Sequence, residues 1–140
     1  MPAAPATPSP AASDRSDPAL RALLLSLGAA VFIVNLDSRA VAPLLPAIAS
    51  ELGLSIGRVG LLVSSYLLPY GLFQLAYGPL ADRYGKLRVS AHALLIFSAG
   101  TALCGVGSSF TAMVAFRVLT GATGAALFPL ALAFIGDTVP

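Results

Sequence analysis

Gly78-Pro79-Leu80-Ala81-Asp82-Arg83-Tyr84-Gly85-Lys86-Leu87-Arg88 puts four charged residues into eleven positions between two long apolar runs. One charged residue at the centre of a membrane helix costs roughly 3 kcal/mol on insertion scales, so a cluster of this kind belongs in water or among headgroups. The apolar runs on either side are therefore separate crossings, and 78–88 reads as the loop that joins them.

Composition agrees with that reading. Hydrophobic residues make up 57% of the 140 residues and charged ones 10%, against a charged share of roughly 25% in soluble domains. The pattern predicts an all-α membrane protein whose first partner is the lipid bilayer. A net charge of +2 without a basic, aromatic-studded face excludes a nucleic-acid partner. Cys104 is the only cysteine and His92 the only histidine, so no metal or cofactor site is expected. No nucleophile–base–acid set or phosphate-cradling glycine loop suggests an enzyme.

Residues 1–18 carry five prolines among Ala, Ser and Thr and read as a disordered tail, leaving 19–140 as the membrane region. Four crossings are expected at about 20–45, 56–77, 89–106 and 112–135. Pro43 and Pro46 should distort or end the first, with 47–57 as an outer connection and Ser55 as the cap of the next helix. In the second crossing Tyr66, Tyr70, Gln74 and Tyr77 recur at helical spacing, with Pro69 as a bend. The small-residue series Gly121, Ala122, Gly124, Ala125 and Ala126 lets another backbone approach the fourth crossing closely. Arg15, Arg21, Arg83, Lys86 and Arg88 fall on one side and Arg58 alone on the other. The positive-inside rule then makes 78–88 and both ends of the chain cytoplasmic, as in a protein of the cytoplasmic membrane.

Asn35, Asp37 and Arg39 interrupt the first crossing and Arg117 the fourth. At about 1.5 Å per residue, the three charges lie at similar depths, roughly 9–14 Å below the outer surface. Positions two apart on a helix differ by about 200°, so Asp37 and Arg39 point to nearly opposite sides while Asn35 and Arg39 share one. Ionisable residues at such depth mark a pathway or a structural ion pair, and both readings stand for Asp37 and Arg117. Arg39 either draws in an anionic group or snorkels to the outer interface. The Tyr66/Tyr70/Gln74 row either lines a path or packs helices.

The run Gly78-x-Leu80-Ala81-Asp82-Arg83-x-Gly85-Lys86 resembles the signature between helices 2 and 3 of the major facilitator superfamily, a large group of secondary transporters. Arg117-x-x-x-Gly121 is similar to that family's helix-4 motif, which its drug/proton antiporters use in proton coupling. Asp37 followed by Pro46 resembles the first-helix motif of the drug exporters. Three positions depart from the pattern: Leu87 stands where a second cation is common, Arg39 where a small polar residue is usual, and Thr120 where Gln is frequent before Gly121.

The resemblance covers about 20–140 and implies two six-helix halves rocking about a central site. This chain would then be an N-terminal fragment holding the start of the first half, with the remaining helices, a small-molecule substrate and protons as partners. Its function would be proton-coupled export of small organic compounds by alternating access. Asn35, Asp37, Arg39, Tyr66, Tyr70, Gln74 and Arg117 would form the substrate and proton pathway. Gly78, Asp82, Arg83, Gly85, Lys86 and Arg88 would form a conformational latch in which Lys86 could reach Asp137, with Gly121 and Gly124 as packing positions. Two other classes fit the composition: a non-transporting four-helix membrane subunit, and a small exporter that dimerises around Asp37.

Overall fold

Six helices account for the regular structure in the computed structural model, which describes residues 18–107 and 109–138. They are α1 (Pro18–Leu52), α2 (Ile56–Val59), α3 (Leu61–Tyr84), α4 (Lys86–Val106), α5 (Phe110–Gly124) and α6 (Leu127–Thr138). The expected tail lies outside the described residues apart from Pro18, as do Ser108 and Pro140. Grouped by continuity, the helices give four spans long and apolar enough to cross a membrane: α1, α2–α3, α4 and α5–α6. The chain is an integral membrane protein of all-α class.

Three boundaries differ from expectation, each for a physical reason. First, α1 runs through Pro43 and Pro46 to Leu52. A proline inside a helix removes one hydrogen bond, whereas Leu45, Ile48 and Ala49 gain packing in an apolar cluster with Val41, Val59 and Leu62. The helix stops instead at Gly53, whose φ of 62° is left-handed. Leu54 N–H closes the end on the Ala49 carbonyl at 3.0 Å, the six-to-one bond of a Schellman cap. Ser55 then caps α2, its hydroxyl accepting from the Arg58 N–H at 3.3 Å.

Second, 78–88 is not a loop. α3 continues to Tyr84 and α4 begins at Lys86, so the connection is Gly85 alone, at φ 91° and ψ 133°. Charges require water, and a helix that projects beyond the hydrocarbon meets that requirement without unwinding. Pro79 stays inside α3. Gly78 lies inside α3, and a Cβ there would meet nothing within 4 Å.

Third, the fourth span is divided at Ala125 and Ala126. Pro129 has no N–H to offer the Ala125 carbonyl, and the chain tightens locally, with Ala126 N–H bonding the Thr123 carbonyl at 3.2 Å. Both alanines are fully buried.

The fourth span packs most heavily on the second and third. Ala30, Val34, Tyr66, Phe97 and Leu127 form the central cluster, drawing one or more residues from every span. A second cluster (Ala81, Val89, Ala93, Ala126, Leu130) lies beside the Gly85 break. Leu25, Phe32, Leu68, Leu75, Leu95 and Val106 project outward, each more than half exposed, as lipid-facing or helix-docking positions do.

Candidate functional site

Asp37 and Arg117 meet. Arg117 Nη1 donates to Asp37 Oδ2 at 2.9 Å, and the two side chains are 10% and 14% exposed for Arg117 and Asp37 respectively. Eighty residues of chain separate them, so the bond ties the first span to the fourth. Breaking such a buried pair by deleting one partner leaves a desolvated charge, whereas the intact pair adds little net stability.

Small residues put the pair where it is. Gly121 is one helical turn beyond Arg117 and faces the backbone of α3. A Cβ on Gly121 would come within 2.9 Å of both Tyr66 Cα and Tyr66 C, besides overlapping its carbonyl oxygen. A Cβ on Gly124 would lie 3.0 Å from Tyr66 Oη and 3.1 Å from Val34 Cγ1. The close approach seats the Tyr66 ring beneath the Arg117 guanidinium, 5.7 Å from the ring centroid. At that range the ring's negative face favours the cation. Tyr70 stacks on Tyr66 in turn, with centroids 5.8 Å apart and planes at 21°. The Tyr66 hydroxyl is buried without a hydrogen-bond partner among the described residues.

Beside the pair, Val34, Asn35, Ser38, Tyr66, Leu67 and Tyr70 line a cleft of about 110 Å³ between α1 and α3. Asn35 Nδ2 donates to the Val31 carbonyl and Ser38 Oγ to the Asn35 carbonyl, both at 2.8 Å. Ser38 is a cleft residue that the sequence reading did not single out, although it sits three positions from Asn35 and next to Asp37. Gln74 is half-buried but lines no part of this cleft. Arg39 does not join the Asp37–Arg117 pair. It is exposed and pairs with no carboxylate among the described residues.

The second charged group lies at the Gly85 break. Lys86 Nζ pairs with the Asp137 carboxylate and also donates to the Ala133 carbonyl at 3.3 Å. The start of α4 is thereby fixed to the end of α6. Arg83 lies over the Tyr84 ring, 5.5 Å from its centroid. Asp82 and Arg88 are exposed, and neither forms an ion pair among the described residues. Asp137 and the Ala133 carbonyl complete this group, and the carbonyl has no side-chain signature by which it could have been foreseen.

Comparison with known proteins adds the following. The profile of the Major Facilitator Superfamily matches residues 27–140. The chain is 35% identical over 119 residues to the MFS-type transporter clz4 of Cochliobolus lunatus, covering 84% of this chain and 21% of that protein. It is 35% identical over 115 residues to the multidrug transporter protein MdtP of Bacillus subtilis, covering 82% and 21%. With the tetracenomycin C resistance and export protein of Streptomyces glaucescens it shares 35% identity over 117 residues, covering 84% and 22%. The chain thus spans about a fifth of the length of these relatives. No solved structure matches it. With a profile match that takes in all four spans, this chain belongs to the Major Facilitator Superfamily.

Proposed function

We propose that the chain is the N-terminal part of a secondary transporter of the cytoplasmic membrane that exports small organic compounds in exchange for protons. The observation that carries this reading is the buried Asp37–Arg117 bond joining two spans next to a polar cleft. Asp37 can hold either a guanidinium or a proton. In the arrangement described here it holds Arg117. A proton arriving at Oδ2 neutralises the carboxylate and releases the guanidinium, so the packing of the first span against the fourth changes with proton occupancy. The proton leaves when the pair re-forms facing the other side. Because the relatives are several times longer than this chain, the opposite wall of the site belongs to helices beyond it.

The names of the relatives support the direction, since two of them are called a multidrug transporter and an export protein. The non-transporting subunit is disfavoured by geometry. It would need the small-residue face of α5 for a partner protein, and Tyr66, Val34 and Phe97 already occupy that face at Gly121 and Gly124. Proton flux in vesicles carrying the full-length protein is the test. A panel of organic anions, cations and neutral dyes is added in turn, and at least one is expected to drive proton movement. Probe transport without any proton movement would refute the coupling, and no transport of any probe would refute the function.

In this reading the charged end is a latch on the cytoplasmic side. Lys86 is its inner tie, bound to Asp137. Asp82, Arg83 and Arg88 are its outward contacts, Gly85 supplies the turn, and exposed Gly78 leaves room for an approaching helix. Asp82→Asn in the full-length protein is expected to reduce transport strongly while shifting stability by no more than about 0.5 kcal/mol, as exposed substitutions do. Flux assays paired with thermal unfolding check this, and unchanged flux removes Asp82 from the latch.

A further inference from the structure

Among the described residues, the charges in the layer around Asp37 do not balance. Asp37 and Arg117 neutralise each other through their 2.9 Å bond, and Arg39 remains as an additional cation two residues along the same helix. Asn35, four residues before Arg39 in the unbroken helix α1, lines the cleft, and a spacing of four places Arg39 on that same side of the helix. The next acid along α1 is Glu51, about 18 Å further up the helix. Arg39 is not itself one of the residues that line the cleft: it stands exposed one turn beyond Asn35, as the cation nearest the cleft that forms no ion pair among the described residues, and the Asp37 carboxylate is already engaged.

An uncompensated cation at membrane depth is costly and stays where a counter-charge or water meets it. The Coulomb term that repels a cationic ligand and attracts an anionic one is several times larger in this setting than in bulk water. The lining itself is the Tyr66–Tyr70 stack, with Tyr70 half-buried, together with Asn35, Ser38, Val34 and Leu67. At about 110 Å³ the cleft is smaller than the roughly 300–1,000 Å³ of a whole ligand pocket, so it seats part of a ligand. From these features, and resting on the transport reading above, we infer that the substrate is an organic anion with a flat aromatic portion. Its negative group lies at Arg39 and its ring against Tyr70.

Two probes with one ring system and opposite charge test this: 1-naphthoate and 1-naphthylmethylammonium. Equilibrium dialysis against the purified full-length protein in neutral-lipid nanodiscs is expected to show the anion bound about tenfold more tightly or better, the scale of one charge-assisted hydrogen bond. Arg39→Glu should abolish or invert that preference and Arg39→Lys should retain it. If Arg39→Glu does not insert, Arg39→Gln takes its place and should abolish the preference. Three results overturn the inference: equal or tighter binding of the ammonium probe, a preference untouched by Arg39→Glu or Arg39→Gln, and no measurable binding of 1-naphthoate. An untouched preference would place Arg39 at the outer headgroups. Proton flux separates this inference from the function it rests on. A protein that exchanges protons for cationic probes keeps the transport reading and loses only the anion, whereas one that moves no probe at all loses both.

Discussion

Arg117→Ala in the full-length protein is expected to lower stability by about 3–5 kcal/mol, because it leaves the Asp37 carboxylate buried without its guanidinium. The pair is 2.9 Å apart and nearly excluded from solvent, and the guanidinium also covers the Tyr66 ring. The substitution therefore removes a charge partner and a packing partner together. Asp37→Ala strands the opposite charge and should also destabilise. The double variant Asp37→Ala/Arg117→Ala removes both charges, and its loss should be smaller than the sum of the single losses by more than about 1 kcal/mol, the signature of direct coupling. Thermal unfolding of the three proteins in one detergent reads this out. Additive losses would show that the pair carries no interaction of its own.

Gly121→Ala is the second large effect. Its Cβ would sit 2.9 Å from two backbone atoms of Tyr66, and backbone cannot swing aside as a side-chain tip does. α3 must move away from α5, and such overpacking costs about 1–3 kcal/mol. The movement also withdraws the Tyr66 ring from Arg117, so transport should fall along with stability. Gly100→Ala gives the contrast. There the Cβ would meet the Thr120 methyl at 2.8 Å, a side-chain atom whose movement leaves the helix axes in place. Melting temperatures should rank wild type above Gly100→Ala above Gly121→Ala. A Gly121→Ala protein with wild-type stability would mean that α3 and α5 are not in contact at this point.

Much of this arrangement was readable from residue spacing. Alternation of apolar runs and charge clusters marked four crossings, and depth arithmetic at a fixed rise per residue brought Asp37 and Arg117 to one layer, where they bond. Lys86 and Asp137 were foreseen as a link at one surface and are in contact. Azimuth was legible too: the roughly 200° of helical rotation between Asp37 and Arg39 sets them on nearly opposite sides, and Arg39 is exposed and takes no part in the pair.

Helix ends were misread where charge or proline was equated with a loop. The helix through Asp82 and Arg83 needs only water around its side chains, and the turn itself needs only the backbone freedom of Gly85. At Pro43 and Pro46 the lost hydrogen bonds are offset by the packing of Leu45, Ile48 and Ala49, contacts made with distant residues such as Val59 and Leu62. Local sequence does not show such partners. The break before Leu127 had a visible cause in Pro129, but its place within an apolar run of helix-forming residues concealed it.

Asp37 is where these strands meet, since the proposed coupling requires one carboxylate that exchanges a guanidinium for a proton. The direct measurement is probe-driven proton flux in vesicles carrying the full-length protein, wild type beside Asp37→Asn, with insertion and folding checked in both. The wild type should move protons with at least one probe of the anion, cation and neutral panel, and Asp37→Asn should move none with any of them. Proton flux in Asp37→Asn equal to that of the wild type would contradict the account.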